Sequence, residues 1–428
     1  MRVLVVGGGG REHALSWALK RDTPDTTLFA APGNPGTAQL GTNLNIAATA
    51  VDDIIAAVRQ HRIDLTLVGP EAPLALGLAD RLRQAGYPVF GPSAAAARIE
   101  ASKAFAKDVM RRAGVPTAAS RSFTDLAPAL AYIEAHAEPV VVKASGLAAG
   151  KGAVVCTTRS EAAATARAML AEGRFGEAGR EIVVEEYLEG EELSVLALTD
   201  GEQVLVLPAA QDHKRLGEGD TGPNTGGMGA YCPVSIAGRE LTHRVRREVF
   251  EPTLRELASQ GAMFQGILYA GLMLSAYGKL YVLEFNCRFG DPEAQALLPV
   301  LPVAVTEHLG SIARGAWNPS ADNVLAVGAA VTTVLAASGY PEQPVTGAAI
   351  KMPEEWPQGV VIFHAGTRRD DAGVLRVGGG RVLGVTAVAE SVPAAARLSV
   401  EACSRIEYDG KTYRRDIGWR EIARARTP

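Results

Sequence analysis

Lys279-Leu-Tyr-Val-Leu-Glu-Phe-Asn-Cys-Arg-Phe-Gly-Asp-Pro-Glu293 changes character halfway along. As far as Asn286 it alternates like a β-strand, which places Glu284 and Asn286 on one face and Tyr281, Leu283 and Phe285 on the other. Two oxygen-bearing side chains pointing the same way at a strand's end make a candidate magnesium site, because magnesium takes one or two carboxylates and completes its octahedron with phosphate oxygens and water. The neighbouring stretch from Gly266 to Ser275 contributes no acid, so Asn286 has to be the second ligand. From Cys287 to Glu293 an arginine and two acids surround a glycine and a proline, a composition that reads as a rigid recognition loop. Arg288 offers a planar fork to a carboxylate or phosphate, and Asp291 can accept from hydroxyls or an amine. The plainer alternative is that Arg288 and Asp291 pair with each other across the turn.

A metal site on a strand is needed because the glycine loop upstream lacks one. Lys143-Ala-Ser-Gly-Leu-Ala-Ala-Gly-Lys-Gly152 approaches the Walker pattern but is one residue short between Gly146 and Gly150. Gly152 also stands where a Ser or Thr would bind magnesium. Its small residues allow close backbone approach, and Lys143 and Lys151 can neutralise phosphate oxygens. The alternative is a flexible hairpin with solvated lysines.

The opening, Met-Arg-Val-Leu-Val-Val-Gly-Gly-Gly-Gly10, pairs a buried strand with a glycine turn and a helix. It fails the dinucleotide template: counting GxGxxG from Gly7 puts Glu12 at the third glycine, and counting from Gly8 puts His13 there. The second strand, ending near Phe29 to Ala31, also lacks the acid that would hold a ribose hydroxyl. Backbone amides at the helix start still suit a phosphate-bearing small molecule, against the simpler reading of a turn that packs helix on strand.

Apolar strands at Arg2 to Val6, Ile63 to Val68 and Tyr87 to Phe90 alternate with helical stretches at Glu12 to Lys20, Val51 to Gln60 and Leu74 to Gln84. This predicts a parallel α/β domain ending near residue 100. From Phe123 to Leu188 a small α+β unit follows, with strands at Val140 to Lys143, Ala153 to Cys156 and Ile182 to Tyr187 and a helix at Glu161 to Ala171. Strands at Glu192 to Thr199, Gln203 to Pro208, Ile267 to Ser275 and Lys279 to Phe285, with a helix over Thr242 to Ser259, predict a mainly antiparallel sheet. A last unit from about Val324 carries short strands at Gly359 to His364 and Arg381 to Ala387. The polar, glycine-rich stretch from Gly217 to Tyr231 reads as a long functional loop or a disordered one, not as core. Beside Asp212 and Lys214, His213 is a general base or an ordinary loop histidine.

With 428 residues and 47% hydrophobic content the chain can bury several cores. A net charge of -4 without a basic run gives no footprint for nucleic acid or an anionic membrane. The cysteines Cys156, Cys232, Cys287 and Cys403 form no CxxC pair and read as small buried hydrophobes. No stretch reaches the length of a membrane span and no signal peptide opens the chain, so a cytoplasmic enzyme is expected.

Taken together, GGGGREHAL at Gly7 to Leu15, APGNPGT at Ala31 to Thr37, VGPEAPL at Val68 to Leu74, SKAFAK at Ser102 to Lys107 and GLAAGKG at Gly146 to Gly152 resemble the glycinamide ribonucleotide synthetases. These are the phosphoribosylamine-glycine ligases of purine biosynthesis, within the ATP-grasp superfamily. QDHKR at Gln211 to Arg215, DTGPNTGGMGAY at Asp220 to Tyr231, EFNCRFGDPE at Glu284 to Glu293, FHAGT at Phe363 to Thr367 and RRDIGWR at Arg414 to Arg420 extend the resemblance over essentially the whole chain. It implies a mixed α/β and α+β chain with an ATP-grasp fold. Residues 1–101 would form an N-terminal α/β substrate-binding domain and 102–323 the ATP-grasp domain, with a small lid-like ATP subdomain at about 121–189. Residues 324–428 would form a β-rich C-terminal domain.

Carried over residue by residue, the resemblance implies that Lys103, Lys143 and Lys151, with Gly150 and Gly152, face the phosphates of ATP. Glu185, Glu186, Tyr187 and Leu188 would form the hinge beside adenine, and Glu192 would hold the ribose. Glu284 and Asn286 would bind Mg2+, with Mn2+ as the alternative ion. Gly9, Gly10, Glu71, Asp212, Asn224, Thr225, Gly227, Arg288 and Asp291 would hold glycine and 5-phosphoribosylamine, with Arg288 and Lys151 as the catalytic cations. The implied chemistry passes through glycyl phosphate, in a monomer that meets neighbouring pathway enzymes only transiently. One departure stands out: the family usually has Asp after Lys143-Ala, and here the residue is Ser145. The runner-up is an ATP-grasp enzyme acting on another acid and amine, or on bicarbonate. Behind it stand a nucleotide-binding regulator without turnover and a nicotinamide oxidoreductase.

Overall fold

Val3, Leu4, Val5 and Val6 are fully buried, because the strand Arg2–Gly7 lies at the centre of a parallel sheet with apolar cover on both faces. It pairs with Thr27–Pro32 on one side and Leu65–Val68 on the other, and Thr42–Asn43 and Val89–Phe90 form the edges. The computed structural model describes residues 1–148, 151–302, 304–321 and 323–425. Gly150, one of the expected phosphate-facing residues, lies outside them.

The expected helix over Leu74 to Gln84 is in fact two, Glu71–Ala75 and Leu78–Gln84, broken at Gly77, whose φ of 81° is left-handed. Glu71 thereby begins a helix at the carboxyl end of a parallel strand, the edge where open α/β sheets bind ligands. Two further helices that the pattern did not reveal, Ala94–Ala101 and Lys103–Ala113, lead out of the sheet.

The chain then builds an antiparallel platform, in the order Val204–Val206, Glu191–Thr199, Gly266–Leu274, Leu280–Asn286. The helix expected over Thr242 to Ser259 is instead Arg239–Val245 and Glu251–Ser259, joined by a wider π turn. Above the platform stands a smaller sheet, in the order Ser120–Phe123, Ile182–Glu186, Val140–Ala144, Ala153–Cys156, with helices Leu126–Glu134 and Arg159–Leu170 packed on it. This unit has its own core, including Phe123, Ile133, Val142, Met169 and Val184.

The last sheet corrects the reading of Gly217 to Tyr231. Arg215–Gly217 and Thr221–Asn224 make a small ribbon, but Gly229–Cys232 is a buried strand between Gln211–Asp212 and Ala329–Ala336. A Cβ on Gly229 would come within 2.5 Å of the Thr332 carbonyl, so glycine here permits a close strand contact and not a loose loop. Arg381–Ala389 and Val360–His364 complete the sheet, and helix Val392–Ser404 covers it. The cysteines are all buried and unpaired, as their scattered spacing predicts. Among the described residues no single helix is long and apolar enough to cross a membrane.

Candidate active site

The strand Leu280–Asn286 does not alternate as its sequence predicts. Gly271 faces Glu284 while Leu272 faces Val282, so Leu283 is an extra residue in a β-bulge. Leu280, Val282, Phe285 and Cys287 therefore all enter the core, and the face carrying Glu284 and Asn286 also carries Tyr281. The two oxygen ligands do share a face, but Tyr281 and Phe285 do not share the opposite one. The bulge has a second effect, since the Leu283 carbonyl accepts from Lys143 Nζ at 3.2 Å.

Lysines from three elements surround Glu284. Burial alone would raise its carboxyl, but Lys214, Lys143 and Lys103, with Arg288, hold it below the usual range. An ionised carboxylate beside a carboxamide oxygen is a hard oxygen donor set that fits a divalent ion carried in with nucleotide phosphates. Among the described residues no cluster of three or more His, Cys, Asp or Glu side chains is arranged to hold a metal by itself.

Lys143 also pairs with Glu185 at 2.6 Å, and Lys107 grips the same carboxylate at 2.7 Å. Burial works against the Glu185 charge, and the two lysines hold its carboxyl below the usual range. Its side chain thus orients Lys143. The Glu186 carboxylate is likewise engaged, accepting from the Ala119 N–H at 2.9 Å, so what the hinge can present to a base is the backbone of Glu186–Leu188 and the exposed Tyr187. Lys103 starts helix Lys103–Ala113 and reaches the Gly146 carbonyl at 3.3 Å. Lys151 points elsewhere, donating to the Pro341 carbonyl at 3.0 Å. At Gly152 a Cβ would lie 2.7 Å from that of Ala148, so the loop closes tightly there.

Glu192 faces Lys214 at 2.5 Å, and half-buried Asp212 stands beside them. Its enclosure, with Glu293, Glu192 and Glu284 nearby and only Lys214 opposing, pushes the Asp212 carboxyl up to about 7. Glu192, Asp212 and Glu284 keep the Lys214 ammonium well above its ordinary value in spite of burial. His213, between them, turns the other way. Its Nε2 accepts from the Gly418 N–H at 3.2 Å, and burial, with Arg414 nearby, lowers its pKa to about 3, which makes it a neutral structural residue and not a base.

Arg288 and Asp291 do not pair. Arg288 lies 2.7 Å from Glu100 and 3.4 Å from Glu71, and it donates to Asn286 Oδ1 at 3.1 Å. Asp291 instead faces Arg381 at 3.4 Å and accepts from Gln295 Nε2 at 2.8 Å. Burial opposes its charge, and Arg381 and Arg11 hold its carboxyl down. Arg381 also donates to the carbonyls of Asp291 and Gly226, so one C-terminal side chain joins the recognition loop to the Asn224–Gly227 turn. Within that turn Thr225 Oγ1 donates to the Lys214 carbonyl at 2.8 Å, Asn224 is exposed, and a Cβ on Gly227 would strike Pro292 at 2.5 Å.

The amino-terminal loop closes the same cleft. A Cβ on Gly9 would stand 3.5 Å from Asp291 Oδ2, and one on Gly10 2.5 Å from Gln295 Nε2. Glu12, which spoils the dinucleotide template, accepts from the Gly9 N–H at 2.7 Å and fills the space under Gly7 and Gly69. Sequence reasoning missed Glu100, Lys107, Lys214, Gln295 and Arg381 as site residues. Lys107 and Lys214 lay inside quoted motifs, whereas Glu100 and Arg381 carried no local signal.

A parallel α/β domain, an antiparallel platform with a small second sheet, and a carboxylate-carboxamide pair facing lysines across the cleft define an ATP-grasp enzyme, which uses ATP and a divalent metal. Residues 1–100, 101–294 and 330–420 match the N domain, ATP-grasp (A) domain and C domain of phosphoribosylglycinamide synthetase. The chain belongs to this family. Phosphoribosylamine–glycine ligases from Allochromatium vinosum and Vibrio parahaemolyticus are 47% and 45% identical to it, over 100% and 99% of both chains respectively. The crystal structure of the Thermotoga maritima phosphoribosylamine–glycine ligase superposes with a TM-score of 0.85 at 34% identity, covering 97% of this chain and 100% of that one. A Campylobacter jejuni biotin carboxylase at 16% identity, with a TM-score of 0.74 over 99% of this chain and 95% of that one, shares the fold.

Proposed function

We infer that this cleft joins glycine to 5-phosphoribosylamine at the expense of ATP, giving glycinamide ribonucleotide, ADP and phosphate in purine biosynthesis. The observation that carries the reading is the meeting of Glu284 and Asn286 with Lys103, Lys143 and Lys214, two residues before an arginine that faces the same cleft.

In the proposed sequence a glycine carboxylate oxygen attacks the γ-phosphate, ADP leaves, and glycyl phosphate forms. The phosphoribosylamine nitrogen then attacks the acyl carbon, loses a proton, and expels phosphate. Phosphoryl transfer asks the protein mainly for alignment and charge. Lys103 and Lys143 would supply the charge, with Lys143 aimed by Glu185 and the Leu283 carbonyl. Lys151 would join them after leaving the Pro341 carbonyl as the lid loop closes over the phosphates. A divalent ion, Mg2+ with Mn2+ as alternative, would neutralise phosphate charge at Glu284 and Asn286. The Glu186–Leu188 backbone would border adenine, and Glu192 would hold the ribose.

Gly9, Gly10, Glu71 and the Asn224–Gly227 turn would frame the phosphoribosylamine, with Asp212 and Asp291 offered to amine and hydroxyl groups. Arg288 would hold the glycine carboxylate and then the acyl oxyanion. Enclosure by the lid would keep water from the acyl phosphate. We place this reaction in the cytoplasm and in a monomer.

The test is ADP release with phosphoribosylamine generated in situ. The reading predicts release that requires both glycine and the amine. Release indifferent to glycine would mean a different acid substrate.

A further inference from the structure

The Arg288 guanidinium is already heavily engaged. Nη2 meets Glu100 Oε1 at 2.7 Å and Asn286 Oδ1 at 3.1 Å, Nη1 donates to the Phe289 carbonyl at 3.2 Å, and Nε leans on Glu71 at 3.4 Å. Of the five N–H donors of a guanidinium, three are hydrogen-bonded, and the Glu100 carboxylate lies in ion-pair contact with Nη2, so among the described residues one Nη1–H has no such neighbour. The long Nε contact is the weakest of the four and the first to exchange. Arg288 is therefore not an open fork, and whatever fixes its plane decides where the remaining donor points.

Glu100 fixes that plane. It lies in the last turn of helix Ala94–Ala101, 187 residues before Cys287, and is 8% exposed. One oxygen holds Arg288 Nη2, and the other accepts the Cys287 N–H at 2.7 Å. Both neighbours are donors. A carboxylate accepts on both sides, whereas an amide in its place turns an NH2 toward one of them.

We propose that Glu100 is a positioning residue for the ligation, holding Arg288 so that its free N–H faces the glycine carboxylate and acyl oxyanion while pinning the turn between the metal-ligand strand and the recognition loop. This rests on the role of Arg288 given above. It assigns no contact with substrate to Glu100 itself.

The full chain carrying Glu100→Gln tests it under steady-state conditions. The expected result is a loss of about 10- to 100-fold in kcat/KM for glycine, the range seen when a group that orients a functional ligand is removed. KM for ATP should stay unchanged, and any fall in melting temperature should leave the protein folded at the assay temperature. In an Arg288→Lys background the same substitution should cost almost nothing more, because it acts through Arg288. Glu100→Asp, which keeps the charge, should recover part of the loss and serves equally if the Gln variant folds poorly.

A glycine kcat/KM equal to that of the unmodified protein would overturn the proposal. So would an undiminished loss in the Arg288→Lys background, or an Asp variant no better than Gln. An unmodified protein that needs no glycine for ADP release would instead refute the ligase reading, which separates the two failures.

Discussion

Glu284 keeps its charge in a cleft where burial opposes it and four cations favour it. Replacing it with Ala removes the carboxylate of the proposed metal pair and a counter-charge shared by Lys103, Lys143 and Lys214. Turnover at ordinary magnesium should fall by about 100-fold or more, with the thermal transition preserved. Near-normal activity would move the metal site elsewhere. The alternation of Lys279 to Asn286 was enough to pair Glu284 with Asn286, but not to foresee the bulge at Leu283. A bulge is a pairing event between strands, set by the register against Gly271 and Leu272. For the same reason Glu100 was illegible: a lone acid in an alanine-rich helix acquires meaning only once folding puts it against Arg288.

Between the two helices that flank Ser102, Ser145 fills a capping role that needs no carboxylate. Ser102 caps helix Lys103–Ala113 by accepting from Phe105 N–H, and Ser145 Oγ accepts from the next free amide, Ala104 N–H, at 3.1 Å. The Ser145 carbonyl takes the Lys103 N–H at 2.8 Å. Ser145 thus keeps the cap and omits the charge. Ser145→Asp would place a carboxylate at a helix N-terminus and should raise stability by about 0.5–1 kcal/mol. Activity should stay within a few-fold of the unmodified protein. A lowered melting temperature would show that the buried charge costs more than the helix returns. Four of the five parallel strands and the Val140–Ala144 to Ala153–Cys156 hairpin were legible because their apolar runs are bounded by glycine, whereas the two-residue polar edge strand Thr42–Asn43 was not. Gly229–Cys232 was not, since its glycine and polar neighbours disguise a strand that is buried by its partners.

The whole molecule is closed by contacts between its ends. Asn34 Nδ2 donates to the Gly8 and His364 carbonyls, and the His364 N–H donates to His13 Nδ1, so the amino-terminal loop and the C-terminal sheet meet across neutral histidines. Burial, with His364 nearby, lowers His13 to about 3, and burial, with Arg369 nearby, lowers His364 to about 4, from an ordinary value of 6.5. His213, at about 3, ties the strand bearing Asp212 to Gly418 in the same way. Below 6.5 the unfolded chain binds protons that the folded chain does not, so stability is complete above that pH and declines as pH falls toward the folded values. Each histidine should remove about 1 kcal/mol between about pH 6.5 and 5.5. Urea midpoints measured across this interval should drop accordingly. A flat profile would mean that these rings take up protons in the fold much as they do in the unfolded chain.

Glu284, Asn286 and the lysines around them are proposed to serve the activation of a carboxylate as an acyl phosphate. Glycine labelled with 18O in its carboxyl group tests this most directly, because the oxygen that attacks the γ-phosphate must leave with it. One 18O is expected in each inorganic phosphate released during ligation. Phosphate that carries no label, formed alongside authentic glycinamide ribonucleotide, would contradict it.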